Sequence, residues 1–232
     1  MKKICVVVGV GPGNGAALSR RFAGEGFTVV MLARRADQLA KLAEEIPGTF
    51  GLVCDVSDPS EIESVFEQIH HDFGPVSALI YNAGSGQWSD VMNTTVDGFQ
   101  KAWATNALGL LVCAQQVIPY MVSAGHGQIM VIGATASLRG GANFTAFASA
   151  KSAQRSLAQS MARDLGPKGI HVGYFIIDGI IDLERTRDFF QDKPDDFFMQ
   201  ADAIADSVWA VTQQDRSAWT FELDLRPYSE RW

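Results

Sequence analysis

The stretch that decides the fold is Lys3-Ile4-Cys5-Val6-Val7-Val8-Gly9-Val10-Gly11-Pro12-Gly13-Asn14-Gly15. It begins as a short apolar run rich in β-branched residues, which is typical of a buried strand. Glycines then end the run, and Ala16 to Ala23 has helical spacing and good helix formers. Strand, glycine turn and helix together predict a phosphate-binding loop, because the backbone can approach a pyrophosphate and the first N–H groups of the helix face the anion.

The second apolar run, Phe27 to Leu32, supports this interpretation and ends at Ala33-Arg34-Arg35. In a dinucleotide-binding fold the second strand ends beside the adenosine ribose. An acidic residue there accepts hydrogen bonds from a 2′-hydroxyl, whereas arginine pairs with a 2′-phosphate. Because no acidic residue occurs between Thr28 and Ala36, NADP(H) is favoured over NAD(H). The alternative for both arginines is a solvated start of a helix.

Strand and helix patterns alternate along the rest of the chain. Further strands are predicted at Thr49–Cys54, Val76–Tyr81, Gln128–Gly133, Ile170–Ile177 and Ala218–Leu225, and helices at Asp37–Ile46, from Pro59 to about Phe73, and at Val96–Met121, Phe144–Leu165 and Ala201–Thr212. Ser57 or Asp58 is expected to cap the helix that begins at Pro59. Seven strands alternating with helices predict one α/β domain over 1–232, a Rossmann-type doubly wound parallel sheet with helices on both faces. The ligand is expected at the carboxyl ends of the strands, where the strand order reverses.

Composition limits the classes of partner. The chain has 232 residues and a net charge of −7, and no basic stripe offsets that charge, so nonspecific nucleic-acid binding is not expected. Cys5, Cys54 and Cys113 lie singly in apolar segments, which predicts reduced core thiols in a cytoplasmic protein and no metal site. No run approaches the roughly 20 apolar residues of a membrane span, so no membrane partner is expected.

These stretches together resemble the classical short-chain dehydrogenase/reductase family over nearly the whole chain. Gly9, Gly13 and Gly15 match its Gly-x-x-x-Gly-x-Gly pattern, with Asn14 inside it, and Asn82-Ala83-Gly84 matches its Asn-Ala-Gly. The resemblance implies that the glycine turn and Asn82, Ala83 and Gly84 contact the cofactor. It also implies that Asp55 and Val56 contact the adenine, that Lys151 holds the nicotinamide ribose, that Asn106 supports a proton-relay water, and that Arg34 selects NADP. The plain alternatives are a helix-start residue for Asp55, a turn former for Asn82, and ordinary polar helix residues for Asn106 and Lys151.

The sequence departs from the family where the family carries its acid–base chemistry. That chemistry uses Tyr-x-x-x-Lys and a serine about thirteen residues before the tyrosine, with the tyrosine as general acid or base and the lysine lowering its pKa. Here Phe147 and Ala134 occupy the tyrosine and serine positions. Phenylalanine has the ring but no ionisable oxygen.

Other residues offer weak replacements for the missing hydroxyls. Thr135 and Ser137 are near the serine position, and the hydroxyl of either fits a substrate carbonyl, although loop structure is the commoner role for such residues. Tyr81 and Tyr174 are expected in the core, and the four histidines lie away from the predicted ligand edge. No residue stands out as a replacement acid.

The segment after the sixth predicted strand also departs from the family, which usually has Pro-Gly there. Here the sequence is Asp178-Gly179-Ile180-Ile181, in which Gly179 and Ile181 can still meet the nicotinamide carboxamide through backbone groups. Asp178 fits either polar substrate recognition or a helix cap. The phenylalanine-rich stretch up to Met199 fits a substrate lid, a subunit contact or plain core packing.

The residues leave three hypotheses for function. The first is an NADP(H)-dependent oxidoreductase with an unknown carbonyl or alcohol substrate, catalytic residues Asn106 and Lys151, and a proton path that differs from the family's. The second is a nucleotide-binding pseudoenzyme that acts as a sensor or partner subunit. The third, a fold relic without cofactor, has less support. The resemblance also implies a homodimer or homotetramer.

Overall fold

The computed structural model describes residues 3–86 and 88–230. Its main strands are β1 (Lys3–Val8), β2 (Phe27–Ala33), β3 (Thr49–Val53), β4 (Val76–Tyr81), β5 (Gly127–Ile132) and β6 (Ile170–Ile177), followed by the two-residue strands β7 (Ile180–Ile181) and β8 (Phe198–Met199) and by β9 (Glu222–Leu225). Seven strands form one sheet in the order β3-β2-β1-β4-β5-β6-β9, with every neighbouring pair parallel. This confirms the predicted Rossmann-type doubly wound sheet.

Helices cover both faces of the sheet. They are α1 (Asn14–Gly24), α2 (Ala36–Glu45), α3 (Pro59–Asp72), α4 (Val96–Trp103), α5 (Gly109–Ala124), α6 (Thr145–Leu165), α7 (Glu184–Phe189) and α8 (Ala201–Thr212). Buried residues of α1, α2 and α8 form the core on one face, and those of α3, α5 and α6 form the core on the other. The sheet is therefore the middle layer of three.

Strand β1 is apolar at every position from Ile4 to Val8 because both faces of the sheet are covered there. Ile4, Val6 and Val8 point into the core beneath α3, α5 and α6, while Cys5 and Val7 point into the core beneath α1 and α8. Alternate side chains of a strand face opposite sides of a sheet, so a strand covered on both sides needs apolar residues at every position. All five are essentially inaccessible to solvent.

The chain reverses its winding direction at β1, which lies between β2 and β4. The loops that leave β1 and β4 meet there, because the Asn82 backbone N–H donates to the Val8 carbonyl at 2.9 Å and the Gly9 N–H donates to the Leu32 carbonyl at 2.8 Å. In open α/β sheets ligands bind at the carboxyl ends of the strands at such a reversal. The fold thus places the glycine turn at the expected ligand edge.

Three predicted boundaries need correction or refinement. The last strand begins at Glu222 rather than Ala218, because Asp215 accepts from the Ser217 N–H and starts a 3-10 turn over Arg216–Ala218. Asp58, not Ser57, caps α3 by accepting from the Ser60 N–H at 2.8 Å. The helix predicted from Val96 is interrupted by a π-helical turn, Ala104–Leu108, and runs on to Ala124.

The stretch Val96–Ala124 also qualifies the expectation about membrane spans. By length and composition alone it is long and apolar enough to cross a bilayer. Of its apolar 18-residue part, 44% is buried inside the molecule. Its buried residues belong to the same core as β4 and β5. It packs as a core helix of this fold does.

The three cysteines are free and buried, as predicted for core thiols. Burial raises the pKa of all three thiols, that of Cys54 to about 12. They are therefore protonated at neutral pH.

Candidate functional site

The glycine turn after β1 is packed too tightly for any larger residue. Gly9 has a φ of +84°, and a Cβ added to it would lie 2.4 Å from the Cα of Ala83. A Cβ on Gly15 would lie 2.6 Å from the Cα of Val10. Contacts this short do not occur between real atoms, so both positions require glycine for the close approach of backbone to backbone.

The first turn of α1 lies at the ligand edge without a side-chain cap, and its Ala16 and Ala17 N–H groups donate to the carbonyls of Gly11 at 3.0 Å and Gly13 at 3.1 Å. No side chain of the described residues caps it, and no acidic residue lies in its first turn. Asn14 is buried, and within residues 3–86 and 88–230 its Oδ1 atom has no hydrogen-bond partner. The uncapped N–H groups suit an anion such as a diphosphate, and the unpartnered oxygen suits a donor from a ligand or water.

Asn82 and Ala83 connect the end of β4 to this turn. The Asn82 side-chain amide donates to the Gly9 carbonyl at 2.7 Å, and the Ala83 backbone forms the wall against which Gly9 packs. Both residues were predicted to contact cofactor. In the structure their visible role is to hold the glycine turn in place.

Gly84, Asn106 and Lys151 come together from three different elements. A Cβ placed on Gly84 would lie 3.6 Å from Asn106 Oδ1 and 3.7 Å from Lys151 Nζ. Asn106 sits in the π turn, where its amide donates to the carbonyls of Ala102 at 2.8 Å and Ser85 at 3.1 Å. Its Oδ1 is buried and has no partner among the described residues. The family resemblance predicts Lys151 at the nicotinamide ribose and Asn106 beside a proton-relay water.

Lys151 is almost completely buried. Its Nζ donates to the Ile132 carbonyl and to Gln154 Oε1, both at 3.0 Å. Burial lowers the pKa of the ammonium from 10.5 to about 7, because the charged form loses its hydration. The lysine therefore exchanges between its charged and neutral forms near neutral pH.

Arg34 and Asp55 lie at the neighbouring ends of β2 and β3. Burial raises the pKa of Asp55, but hydrogen bonds from Ser57 and the charge of Arg34 outweigh that effect and lower it overall. Arg34 is exposed and makes no side-chain hydrogen bond within the described part of the chain, whereas Arg35 bonds to Gln38. A free guanidinium in this place suits a phosphate.

Val56, the second residue predicted at the adenine, lies in the core. It is 9% exposed, and its carbonyl is 2.5 Å from where a Cβ on Gly109 would be. Val56 therefore supports the first turn of α5.

Phe147 and Ala134 lie at the ligand edge, at the start of α6 and just after β5. Phe147 is half-buried, and its ring is 6.3 Å from that of Phe144, which contacts Trp88 at 5.2 Å. These three rings form an apolar wall, which we call the aromatic wall. It gives the site no proton donor at the position of Phe147.

The two hydroxyls that follow Ala134 in sequence, those of Thr135 and Ser137, are engaged elsewhere. Thr135 Oγ1 donates to Asp178 Oδ1 at 2.5 Å, and Ser137 Oγ donates to the Ala134 carbonyl at 2.7 Å. Tyr174 is fully buried in β6, and burial raises its pKa to about 12. Asp178, which receives the Thr135 bond, does not cap α7, whose cap is Leu183.

The segment after β6 folds over the glycine turn. A Cβ on Gly13 would lie 2.8 Å from Leu183 Cδ2, and a Cβ on Gly179 would lie 2.7 Å from Pro227. Ile181 pairs with Met199, and its carbonyl accepts from Thr186 at 2.6 Å. The Ile181 carbonyl, one of the two backbone groups of that residue, is therefore already hydrogen-bonded within the fold.

Ion pairs fix the rest of this segment. Arg187 bonds to Asp182 at 2.7 Å and to Asp195 at 2.6 Å. Phe198 is buried in the fold, whereas Phe189 is 83% exposed. The predicted phenylalanine-rich stretch therefore contains both core packing and one free ring.

Two features of the site escaped sequence reasoning. One is the π turn that carries Asn106, which apolar periodicity does not distinguish from an α-helix. The other is Gln154, whose spacing of three residues from Lys151 on a helix was the signal available. In the described part of the chain no group of three or more His, Cys, Asp or Glu side chains is placed to hold a metal ion.

Several known proteins are similar to this chain in sequence or in fold. The family model for short chain dehydrogenase matches residues 3–194. Carbonyl reductase family member 4 of Danio rerio is 28% identical over 188 residues, which are 80% of this chain and 78% of that protein. A solved short-chain dehydrogenase from Rhodopseudomonas palustris is 35% identical, with a TM-score of 0.85, over 97% of this chain and 99% of that one.

An alcohol dehydrogenase from the archaeon Thermococcus sibiricus, solved in complex with 5-hydroxy-NADP, is 23% identical and has a TM-score of 0.87 over 100% of this chain and 99% of that one. At that identity the likeness concerns the fold. The family match covers most of the chain, and the sheet order and the glycine turn agree with it. The chain belongs to the classical short-chain dehydrogenase/reductase family.

Proposed function

We propose that the protein is an NADP(H)-dependent oxidoreductase that acts on a carbonyl or alcohol by a proton path different from the family's usual one. The observation that carries the proposal is the convergence of Asn106 and Lys151 on Gly84, beside a glycine turn that only glycine can form. When bound, the nicotinamide supplies or accepts the hydride. Everything else in the reaction falls to the chain's own residues.

The residues proposed to bind the cofactor fall into two groups. The turn at Gly9, Gly13, Asn14 and Gly15 receives the diphosphate, and Arg34 receives a 2′-phosphate. Among similar structures, the Thermococcus sibiricus alcohol dehydrogenase was solved with an NADP derivative. That complex and the exposed Arg34 guanidinium support NADP(H) over NAD(H).

The second group lies at the nicotinamide end. Lys151 orients the ribose through an ammonium held by two acceptors, and the unpartnered Asn106 Oδ1 accepts from the ribose or from a water. Gly84 leaves room for the ribose between them. Gly179 and Ile181 remain proposed backbone contacts, with the Ile181 N–H rather than its engaged carbonyl facing the carboxamide.

Phe147 and Ala134 are proposed to stand where the family has its tyrosine and serine. Without that phenol, the proton for a reduced carbonyl comes from solvent at the open mouth of the site. Loss of general acid catalysis costs on the order of 10²–10⁴-fold in rate. The protein is therefore expected to be slow on simple ketones.

The absence of a proton donor at Phe147 and Ala134 favours a second candidate, a nucleotide-binding pseudoenzyme that acts as a sensor or partner subunit. The two hydroxyls that follow Ala134 in sequence are engaged in the fold, Thr135 by Asp178 and Ser137 by a carbonyl. Such a protein keeps the cofactor residues and has no use for a proton donor.

Steady-state oxidation of NADPH over a broad panel of carbonyls and activated alkenes separates the two candidates. The oxidoreductase proposal expects turnover with at least one substrate, and loss of that turnover in Lys151→Met. Lys168→Met, at an exposed lysine in the turn after α6, is the matched control and should keep wild-type turnover. Bound NADPH without turnover on any substrate would instead support the pseudoenzyme.

Partners and location are proposed on the same basis. A small-molecule substrate is expected, and no nucleic acid or membrane partner is expected of a chain with a net charge of −7. A homodimer or homotetramer and a cytoplasmic location follow from the family resemblance and the reduced thiols. Size-exclusion chromatography with light scattering tests the oligomer.

A further inference from the structure

The site contains a buried glutamine that the proposed reaction does not use. Gln154 lies on α6 one turn after Lys151 and is completely inaccessible to solvent. Its Oε1 accepts from Lys151 Nζ at 3.0 Å and lies 3.4 Å from the Tyr174 hydroxyl, which donates to it. Its Nε2 donates to the Asn106 carbonyl at 2.9 Å. One amide therefore joins α6, β6 and the π turn.

The π turn explains why the Asn106 carbonyl accepts a side-chain bond. A π-helical turn widens the hydrogen-bonding pattern of a helix and so disturbs the pairing of its carbonyls. Two successive carbonyls in Ala104–Leu108 accept from side chains instead, that of Thr105 from the Tyr81 hydroxyl and that of Asn106 from Gln154. The Gln154 amide thus fills the space between Lys151 and the Asn106 carbonyl.

The bond to Gln154 also orients the lysine. An ammonium has three N–H donors. Two of those of Lys151 donate to the Ile132 carbonyl and to Gln154 Oε1. The remaining donor belongs to an Nζ that lies beside Gly84. The lysine can thus offer one N–H to a group in the site.

No charge on the elements packed around Lys151 competes with this arrangement. The pKa of Lys151 is lowered by burial alone. Tyr174 on β6 has a raised pKa and is neutral, and beyond it Arg155 and Glu222 pair with each other at 2.6 Å. The loop after β4 and the π turn contribute the neutral residues Gly84 and Asn106.

We propose that Gln154 is a positioning residue that fixes the Lys151 ammonium toward Gly84 and, by occupying the space between Lys151 and the Asn106 carbonyl, separates the lysine from solvent on the helix side. An amide in that space holds the lysine but does not pass a proton at neutral pH. The proton of the reaction then has to enter from the mouth lined by the aromatic wall. The inference rests on the proposed function only in assigning the group that Lys151 faces.

The test is a titration of Lys151 in the cofactor-free protein, followed by NMR of isotope-labelled lysine and assigned with Lys151→Met. Gln154→Met removes the amide at similar volume and should lower the Lys151 pKa, because the ammonium loses an acceptor. Gln154→Glu places a carboxylate beside the ammonium and should raise the Lys151 pKa by roughly 1–3 units. A residue that only packs would not shift the pKa in opposite directions.

Matched controls and a second readout complete the experiment. Gln213→Met and Gln213→Glu change an exposed glutamine after the end of α8 and should leave the Lys151 pKa unchanged. Thermal unfolding confirms that each variant is folded, and Gln154→Leu removes the amide in place of Gln154→Met if that variant does not fold. The proposal is overturned when the folded variants titrate Lys151 as the wild type does. Because no cofactor is present, absence of NADPH binding would count against the proposed function and leave this result standing.

Discussion

The two halves of the ligand edge differ in how they relate to the family pattern. Around the turn after β1, Gly9 and Gly15 sit where no Cβ fits, and Asn82 holds the turn by its amide. Around the start of α6, Phe147 and Ala134 replace the expected hydroxyls, and Thr135 is engaged by Asp178. The half that we propose to bind a dinucleotide keeps the family pattern, and the half where the family has its proton donor departs from it. The proposal therefore treats cofactor binding and acid–base chemistry as separate parts of this site.

The largest effect is expected from restoring the hydroxyls at the two changed positions. The double change Ala134→Ser with Phe147→Tyr should raise carbonyl reduction by roughly 10²–10⁴-fold, because general acid catalysis contributes that much. Initial rates of NADPH oxidation measure it. Phe144→Tyr, which adds a phenol one turn earlier on the aromatic wall, is the matched control and should give no gain. No gain in the double variant would mean that the pocket differs in more than these two residues.

The retained half should tolerate little change at its tightest position. Gly9→Ala should lower the free energy of unfolding by about 3 kcal/mol, because the Cβ meets the Ala83 backbone and the φ of +84° disfavours alanine. Urea unfolding followed by circular dichroism measures the change. Gly24→Ala, where a Cβ has nothing within 4 Å, should leave stability equal or higher. Equal losses at both positions would contradict the tight packing described for the turn.

Arg34 tests whether the retained half prefers NADPH to NADH. Arg34→Ala should weaken NADPH binding by roughly 10- to 100-fold and leave NADH binding nearly unchanged, because a charge-assisted hydrogen bond contributes about 1.5–3 kcal/mol. Fluorescence titration with both nucleotides measures it. Arg35→Ala is the control, since that guanidinium bonds to Gln38. An equal loss for both nucleotides would remove the case for a 2′-phosphate contact.

The smallest expected effect is on stability as a function of pH. The pKa of Lys151 falls from 10.5 to about 7 on folding, so between those values the unfolded state binds more protons and stability rises with pH. From pH 7 to 8.5 the wild type should gain about 1–2 kcal/mol relative to Lys151→Met. Parallel stability curves for the two proteins, measured by urea unfolding at each pH, would show that Lys151 titrates normally.

Sequence reasoning predicted the sheet, its strand positions and the glycine turn, because these depend on local apolar runs and on glycine spacing. It did not predict the π turn at Asn106 or the 3-10 turn before Glu222, since apolar periodicity does not distinguish these short turns from the regular elements beside them. Gln154 was missed for a related reason. A buried amide becomes visible only when the groups that it joins are placed in three dimensions.

The phenylalanine-rich segment from Ile180 to Met199 shows the same limit. Its phenylalanines left core packing, substrate contact and subunit contact open, and only the structure separates the buried Phe198 from the exposed Phe189. Asp178 was likewise left open between a helix cap and substrate recognition. Its bond from Thr135 and its ion pair with Arg226 at 3.4 Å instead tie the end of β5 to the end of β9.

The measurement that tests the central claim most directly is calorimetric titration of the folded wild-type protein with NADPH and, separately, with NADH. The retained glycine turn and Arg34 predict micromolar binding of NADPH and binding of NADH at least about tenfold weaker. Absence of binding heat for both nucleotides up to millimolar concentration, across temperatures that would reveal a silent enthalpy, would contradict the claim that this edge of the sheet holds a dinucleotide.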